Sequence, residues 1–339
     1  MNEQVGKGSL FFEEAPYFIA TASVAGTKEG QGPLGEFFDY VLEEDKFGQS
    51  NWEEAESALQ HKALTLALQK GKLDESEMKY LFAGDLLGQT IASSFGLMDF
   101  HIPLFGIYGA CSTCGEGLSL GAMTVAAGYA DRLAVVTSSH FASAERQFRF
   151  PLEYAVQRPK CATWTVTGSG AFILSRERGE NPYAKITGIT TGKIVDFGIK
   201  DSMNMGAAMA PAAADLILQN LKDFGEKPDY YDYVITGDLG KVGSQILLDL
   251  LQENGVDLSE KHRDCGTTVF DLNKQDVGSG GSGCGCAAIT LSSLLLPKFQ
   301  RGELNRILFV PTGALLSTVS FNEGQTVPGI AHGVMIERC

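Results

Sequence analysis

The chain has 339 residues, 44% of them hydrophobic and 20% charged, which is ordinary globular composition and enough length for roughly two domains with a large core. Its formal net charge of −14 excludes the basic face that a nucleic-acid binder needs. Neither a long apolar run nor a signal peptide is read at Met1-Asn2-Glu3-Gln4, so an intracellular protein with reduced cysteines is expected, without a transmembrane span or a resident metal.

The first fifty or so residues read as an opening rich in glycine and acids. Ser50-Asn51-Trp52-Glu53 then has the form of a capping box, and Trp52, Ala55, Leu59, Ala63 and Leu66 follow at helical spacing up to a C-cap at Gly71. Tyr80 to Ala83 reads as a short buried strand, Leu104 to Tyr108 as a second, Cys114 to Ala130 as a small-residue helix and Leu133 to Ser138 as a third strand. Further on, Pro211 to Phe224 is expected to be a helix stopped by Gly225, Tyr233 to Thr236 a strand, Gly243 to Asn254 and Ala287 to Phe299 helices, and Arg306 to Val310 a strand. Strands alternating with helices imply an α/β fold with a mainly parallel sheet.

The elements repeat. Leu81-Phe82-Ala83-Gly84-Asp85-Leu86 is echoed by Val234-Ile235-Thr236-Gly237-Asp238-Leu239, and residues 128–136 by 302–310. Gly170-Ala171-Phe172-Ile173-Leu174 is matched by Gly333-Val334-Met335-Ile336-Glu337. Two homologous halves, 1–180 and 181–339, meeting at Arg178-Gly179-Glu180-Asn181-Pro182, are the natural reading.

Gly109-Ala110-Cys111-Ser112-Thr113 follows a strand and opens a helix, a place where free N–H groups and the helix dipole favour a thiolate nucleophile. A small buried thiol at a crowded turn is the alternative. Cys111 and Cys114 also have dithiol or half-zinc spacing, but Cys284-Gly285-Cys286 offers no proper second pair. Gly278-Ser279-Gly280-Gly281-Ser282-Gly283 matches a dinucleotide fingerprint in form, with Glu303 about twenty residues on, yet it opens a late helix. As the repeat partner of the cysteine loop it reads better as a glycine turn, and its backbone can still meet a ligand. In the polar stretch from Ser138 to Pro151, Arg146 and Arg149 are spaced to grip a carboxylate beside His140, or else form a solvated turn with a Glu145–Arg149 pair. His332, between apolar neighbours, is either a hydrogen-bonded core residue or a base. His61 and His262 read as surface residues, and Met203, Met205 and Met209 as core filling.

With duplicated halves and a cysteine at a strand-to-helix turn, the chain resembles the thiolase superfamily of condensing enzymes. The resemblance rests on Tyr108 to Ser112, Val166 to Ala171 and Ile330 to Val334, and implies a five-layer αβαβα architecture and a homodimer. Catalytic members pair the cysteine with His plus Asn or His plus Cys. Here the corresponding loops read Gly237-Asp238-Leu239, Gly280-Gly281-Ser282-Gly283-Cys284 and Val327-Pro328-Gly329, leaving Cys111 as the surviving catalytic position and His332 as the one substitute base.

A narrower resemblance, to a family of sporulation proteins of endospore-forming bacteria, is carried by Gly32 to Gly35, Ala83 to Leu87, Phe105 to Thr113, Ala144 to Arg149, Ala208 to Asp215 and Ile330 to Val334. It implies a non-catalytic protein, peripheral at the spore inner membrane, that binds dipicolinic acid with or without calcium alongside other subunits of the machinery moving it. No cofactor is implied. The ligand-binding candidates are then Cys111, His140, Arg146, Arg149, Ser282 and His332. A live acyltransferase using Cys111 is the rival expectation.

Overall fold

The computed structural model describes residues 3–148 and 158–339. Ten strands carry the main sheet. They are β1 (Tyr17–Ala25), β2 (Leu81–Gly84), β3 (Leu104–Gly106), β4 (Arg132–Ser139), β5 (Gly168–Ser175), β6 (Ala184–Thr191), β7 (Tyr233–Thr236), β8 (His262–Asp264), β9 (Arg306–Val310) and β10 (Gly329–Glu337). Their spatial order is β8-β7-β9-β10-β6-β1-β5-β4-β2-β3. Outward from the middle, the path runs β1-β5-β4-β2-β3 on one side and β6-β10-β9-β7-β8 on the other, so each strand has a mate five places on. The outer three strands of each side are parallel, and β5 and β10 run antiparallel to their neighbours. The two sides join where Ala184 and Lys185 pair with Phe18 and Tyr17, and the N-terminal Ser9–Phe11 pairs with the same strand β6 at Gly188–Thr190.

The principal helices are α1 (Trp52–Gly71), α2 (Ile91–Leu97), α3 (Thr113–Ala126), α4 (Phe141–Phe148), α5 (Met205–Phe224), α6 (Gly240–Glu253) and α7 (Cys284–Thr290). α1 packs on β1, β5 and β4, and α5 on β10 and β6, forming outer layers. Between the sheet halves lie α3, which touches both β4 and β10, and α7, which packs on β5 and β4. Three buried apolar clusters correspond to the spaces between these layers. A fourth, of Leu86, Cys111, Ala144 and Cys284, marks where the halves meet.

Several elements differ from the sequence reading for identifiable reasons. β1 lies in the opening segment, where Tyr17–Ala25 is buried almost throughout and has no period-2 polarity to reveal it. The N-cap of α1 is Asn51, whose side chain accepts the Glu54 N–H. α5 begins at Met205, capped by Asn204, and carries Pro211 inside it, so the proline marks neither end. The last central helix starts at Cys284 and passes through a π-helical turn at Leu291–Leu295. His262 is buried in β8 with Nε2 on Thr236 Oγ1 at 2.9 Å, since β8 pairs alongside β7.

Candidate functional site

The loop between β3 and α3 is stitched by its own hydroxyls. Ser112 Oγ donates to Gly109 O at 2.6 Å, Thr113 Oγ1 to Ala110 O at 2.6 Å, and Gly109 N–H to Thr113 Oγ1 at 3.0 Å. This holds Ala110 at φ 52°, a left-handed conformation that costs a non-glycine residue about 1 kcal/mol. The second half supplies the opposite wall. Gly281–Ser282 pairs in parallel with Trp164–Thr165, so Ser282 and Thr165 sit side by side, and Gly283 turns at φ 103° to start α7. A Cβ on Gly283 would stand 2.5 Å from Ser139 Oγ, so only glycine fits.

Leu86, Tyr108, Ala110, Cys111, Thr165, Met205, Ser282, Ala314 and Leu316 line the cleft thus formed. It encloses about 20 Å³, little more than one water needs. Its lining, among the described residues, carries no charged side chain.

Beneath Cys111 lies Asp238, fully buried, which follows β7. Its Oδ1 accepts from Thr312 Oγ1 at 2.7 Å and its Oδ2 from Gly283 N–H at 2.9 Å, and the Cys111 thiol lies near enough to feel the same carboxyl. Burial pushes Asp238 up to about 7 against these donors. Burial first, and then Asp238, raise Cys111 well above the ordinary thiol range. Of the two readings of Cys111, this direction favours the small buried thiol over the thiolate: α3 begins at Thr113, and burial is the first cause of the shift.

A second polar cluster lies on the other side of Cys284. Glu56 accepts from Ser138 Oγ at 2.9 Å and Ser143 Oγ at 2.5 Å, while Asp85 accepts from Leu87 N–H, Ser93 N–H and Ser93 Oγ. Burial and then Asp85 push Glu56 up to about 8. The Cys284 thiol donates to Ser138 O at 2.8 Å.

The structure brings two of the sequence candidates, Cys111 and Ser282, to one cleft. His140 is 1% exposed with both ring nitrogens committed: Nδ1 accepts from Ala142 N–H and Nε2 donates to Asp45 O. That leaves it nothing for a ligand's carboxylate. Arg146 is exposed on α4, and Arg149 lies outside the described residues. The Glu145–Arg149 pair therefore falls in part outside the described residues; within them Glu145 pairs with Arg158 at 2.8 Å and accepts from Thr165 Oγ1. His332 is buried in β10, lowered to about 4 by that burial, and does not line the cleft. Cys114 turns into the central core, away from Cys111, because a helix places residues three apart on neighbouring directions only once it has begun. Asp238 was missed as a site residue. Its signal was the repeated Gly-Asp-Leu, which places an acid at the same point of both halves.

Residues 6–337 match the family described as stage V sporulation protein AD. The chain belongs to the stage V sporulation protein AD family. It is 44% identical over 333 residues to stage V sporulation protein AD of Bacillus subtilis strain 168, covering 98% of this chain and 97% of that one. Solved structures similar to this member of the family include 3-oxoacyl-[acyl-carrier-protein] synthase III from Aquifex aeolicus, with TM-score 0.57 and 13% identity over 95% of this chain and 99% of that one. AbyA1, a tetronic acid condensing enzyme, gives 0.60 and 15% over 95% and 99%. OleA of Xanthomonas campestris bound with cerulenin gives 0.58 and 14% over 96% and 97%. At these identities the likeness is one of fold, and the sporulation family has the architecture of thiolase-like condensing enzymes.

Proposed function

We propose that this protein is a non-catalytic binding protein of the sporulation apparatus whose ligand is dipicolinate, carried into and out of the spore as its calcium chelate. The observation that carries the reading is the buried Asp238 carboxyl beside the buried Cys111 thiol. A nucleophilic cysteine needs a base that takes its proton and leaves a cation beside the developing thiolate. Asp238 instead places a second potential anion there and keeps the thiol protonated. The scaffold is that of a condensing enzyme, and its chemistry is disabled at the first step.

The electrical character of the cleft favours the chelate over the free acid. Dipicolinate alone is a planar aromatic dianion, and a lining without charged groups above a buried acid gives it no counter-charge. One calcium on its ring nitrogen and two carboxylates makes the ligand neutral and still flat, suited to Leu86, Tyr108, Met205 and Leu316. Entry requires the cleft to widen, and Met205, with its flexible thioether, lies on its rim. Calorimetric titration with calcium dipicolinate should give saturable heat. No heat at millimolar ligand, with or without calcium, would defeat the reading. An acyl adduct on Cys111 after incubation with acyl-CoA, seen by intact mass, would put the acyltransferase in its place.

Assembly follows from the two ends of the sheet. β8 is guarded by the exposed Arg263, with Lys261 just before the strand, as free strand edges usually are. Its mate β3 offers Leu104, Phe105 and Gly106, all exposed, and continues to the half-exposed Tyr108 of the cleft. A second copy pairing edge to edge covers this strand, giving a homodimer. Among the described residues no helix is long and apolar enough to cross a membrane. Attachment at the spore inner membrane is therefore assigned to partner subunits of the dipicolinate channel.

A further inference from the structure

Asp238 is a fully buried carboxyl next to the cleft. Its donors Thr312 Oγ1 and Gly283 N–H come from the second half, and the Cys111 thiol of the first half lies within its field. Cys111 and Ser282, the neighbour of Gly283, both line the cleft. A ligand touching either side chain is thus one residue away from the Asp238 carboxyl. Among the described residues, the groups that act most strongly on that carboxyl include no lysine or arginine. Those facing it are Cys111 from the β3–α3 loop, Cys284 and Cys286 from α7, Asp264 from the end of β8, and Cys265 just after it. All are neutral thiols or further acids. A negative charge entering this space is left without compensation while Asp238 is ionised, and the low local dielectric makes that repulsion strong.

We infer that Asp238 is the charge filter of the cleft: an anionic ligand enters with uptake of one proton from the buffer onto the Asp238 carboxyl, whereas a neutral ligand enters with none. The inference deepens the proposed function and rests on it. Chemically the step is a protonation of Asp238 Oδ1 or Oδ2, with the proton retained while the ligand stays. The repeat mate Asp85 is held by Leu87 N–H and by Ser93 N–H and Oγ, and faces Cys284 and Tyr108 in place of Cys111. With Asp238 poised near 7, both protonation states are available to the ligand-free protein around neutrality.

The test is calorimetry on the full-length protein at about pH 7.5, in two buffers of different ionisation enthalpy, with two probes: sodium dipicolinate in the presence of a calcium chelator, and preformed calcium dipicolinate. The free dianion should bind with close to one proton taken up and lose affinity by up to tenfold per pH unit above the Asp238 range. The calcium form should bind with no buffer dependence. Asp238→Asn should abolish the proton uptake and flatten the pH profile for the dianion, and Asp85→Asn should leave both in place. Buffer-independent heat with the dianion, or proton uptake that survives Asp238→Asn or vanishes in Asp85→Asn, would overturn the filter alone. Heat with neither probe would overturn the dipicolinate reading and the filter with it. The wild-type measurement decides the matter even where a variant fails to fold.

Discussion

Asp85 and Asp238 are mates in the repeat; each is hydrogen-bonded within its own half and raises a thiol of the other, Asp85 that of Cys284 and Asp238 that of Cys111. Of these two thiols, Cys111 is the one that lines the cleft.

That placement bears on thiol reactivity. Replacing Asp238 with Asn removes the nearby negative charge while keeping the side-chain volume, so the Cys111 thiol should ionise more readily. Its alkylation by iodoacetamide at about pH 8 is expected to accelerate several-fold. An unchanged rate, followed by peptide mass mapping of Cys111, would mean burial alone silences it.

Stability should fall as pH rises through neutrality. Glu29 and Glu56 are pushed up to about 8 and Asp238 to about 7, each chiefly by burial. In the unfolded chain these groups ionise near 4, so their contribution is full below that pH and lost as pH rises through the folded values. His262 and His332, lowered to about 4 by burial, act in the opposite sense only below about 6.5, where the unfolded imidazole takes up protons. Between about pH 6.5 and 8 the acids therefore act alone, and urea unfolding should show a loss of about 2 kcal/mol. Glu56→Gln should flatten this slope. A midpoint that rises over the same window would contradict it.

The Glu145–Arg158 pair is buried at both ends, with Arg158 also lying over the stacked rings of Phe141 and Trp164. Arg158→Ala removes the buried cation paired with Glu145 and leaves an empty stacking place, and should cost about 3 to 5 kcal/mol. Thermal melting would register it. A loss below about 1 kcal/mol would mean the pair behaves like a surface one.

Gly283→Ala should be costly for two reasons that act together. The residue holds φ 103°, and the added methyl carbon would stand 2.5 Å from Ser139 Oγ. A loss of at least about 2 kcal/mol is expected, along with weakened binding, because Gly283 N–H holds Asp238 in place. Full stability in urea unfolding would show that the turn tolerates a side chain.

Phe105, 51% exposed on β3, should lie at the dimer contact. Phe105→Glu places like charges opposite each other in an edge-to-edge pair and should yield monomers in sedimentation velocity. A dimer that persists would move the interface elsewhere.

The repeated segments made the paired strands legible in the sequence, because Gly-Asp-Leu after a buried strand recurs with its spacing intact. β1 and β6 escaped notice. Both are buried along most of their length, and continuous apolar character lacks the alternation by which a half-exposed strand declares itself. Cys111 and Ser282 could be picked out from turn chemistry, which is local. Asp238 could not be assigned its partner, since Thr312, Gly283 and Cys111 are each far from it in sequence. His140 illustrates the converse: a histidine at a strand's carboxyl end looks available until Asp45, nearly a hundred residues earlier, is seen to occupy it.

Because α3 is clamped between its own β4 and the other half's β10, and α7 rests on β5 and β4, each half lends its central helix to its neighbour. Neither half keeps a complete interior without the other. Entangled in this way, neither half can be removed without opening the interior of the other. Unfolding should accordingly be one cooperative event that takes both halves together.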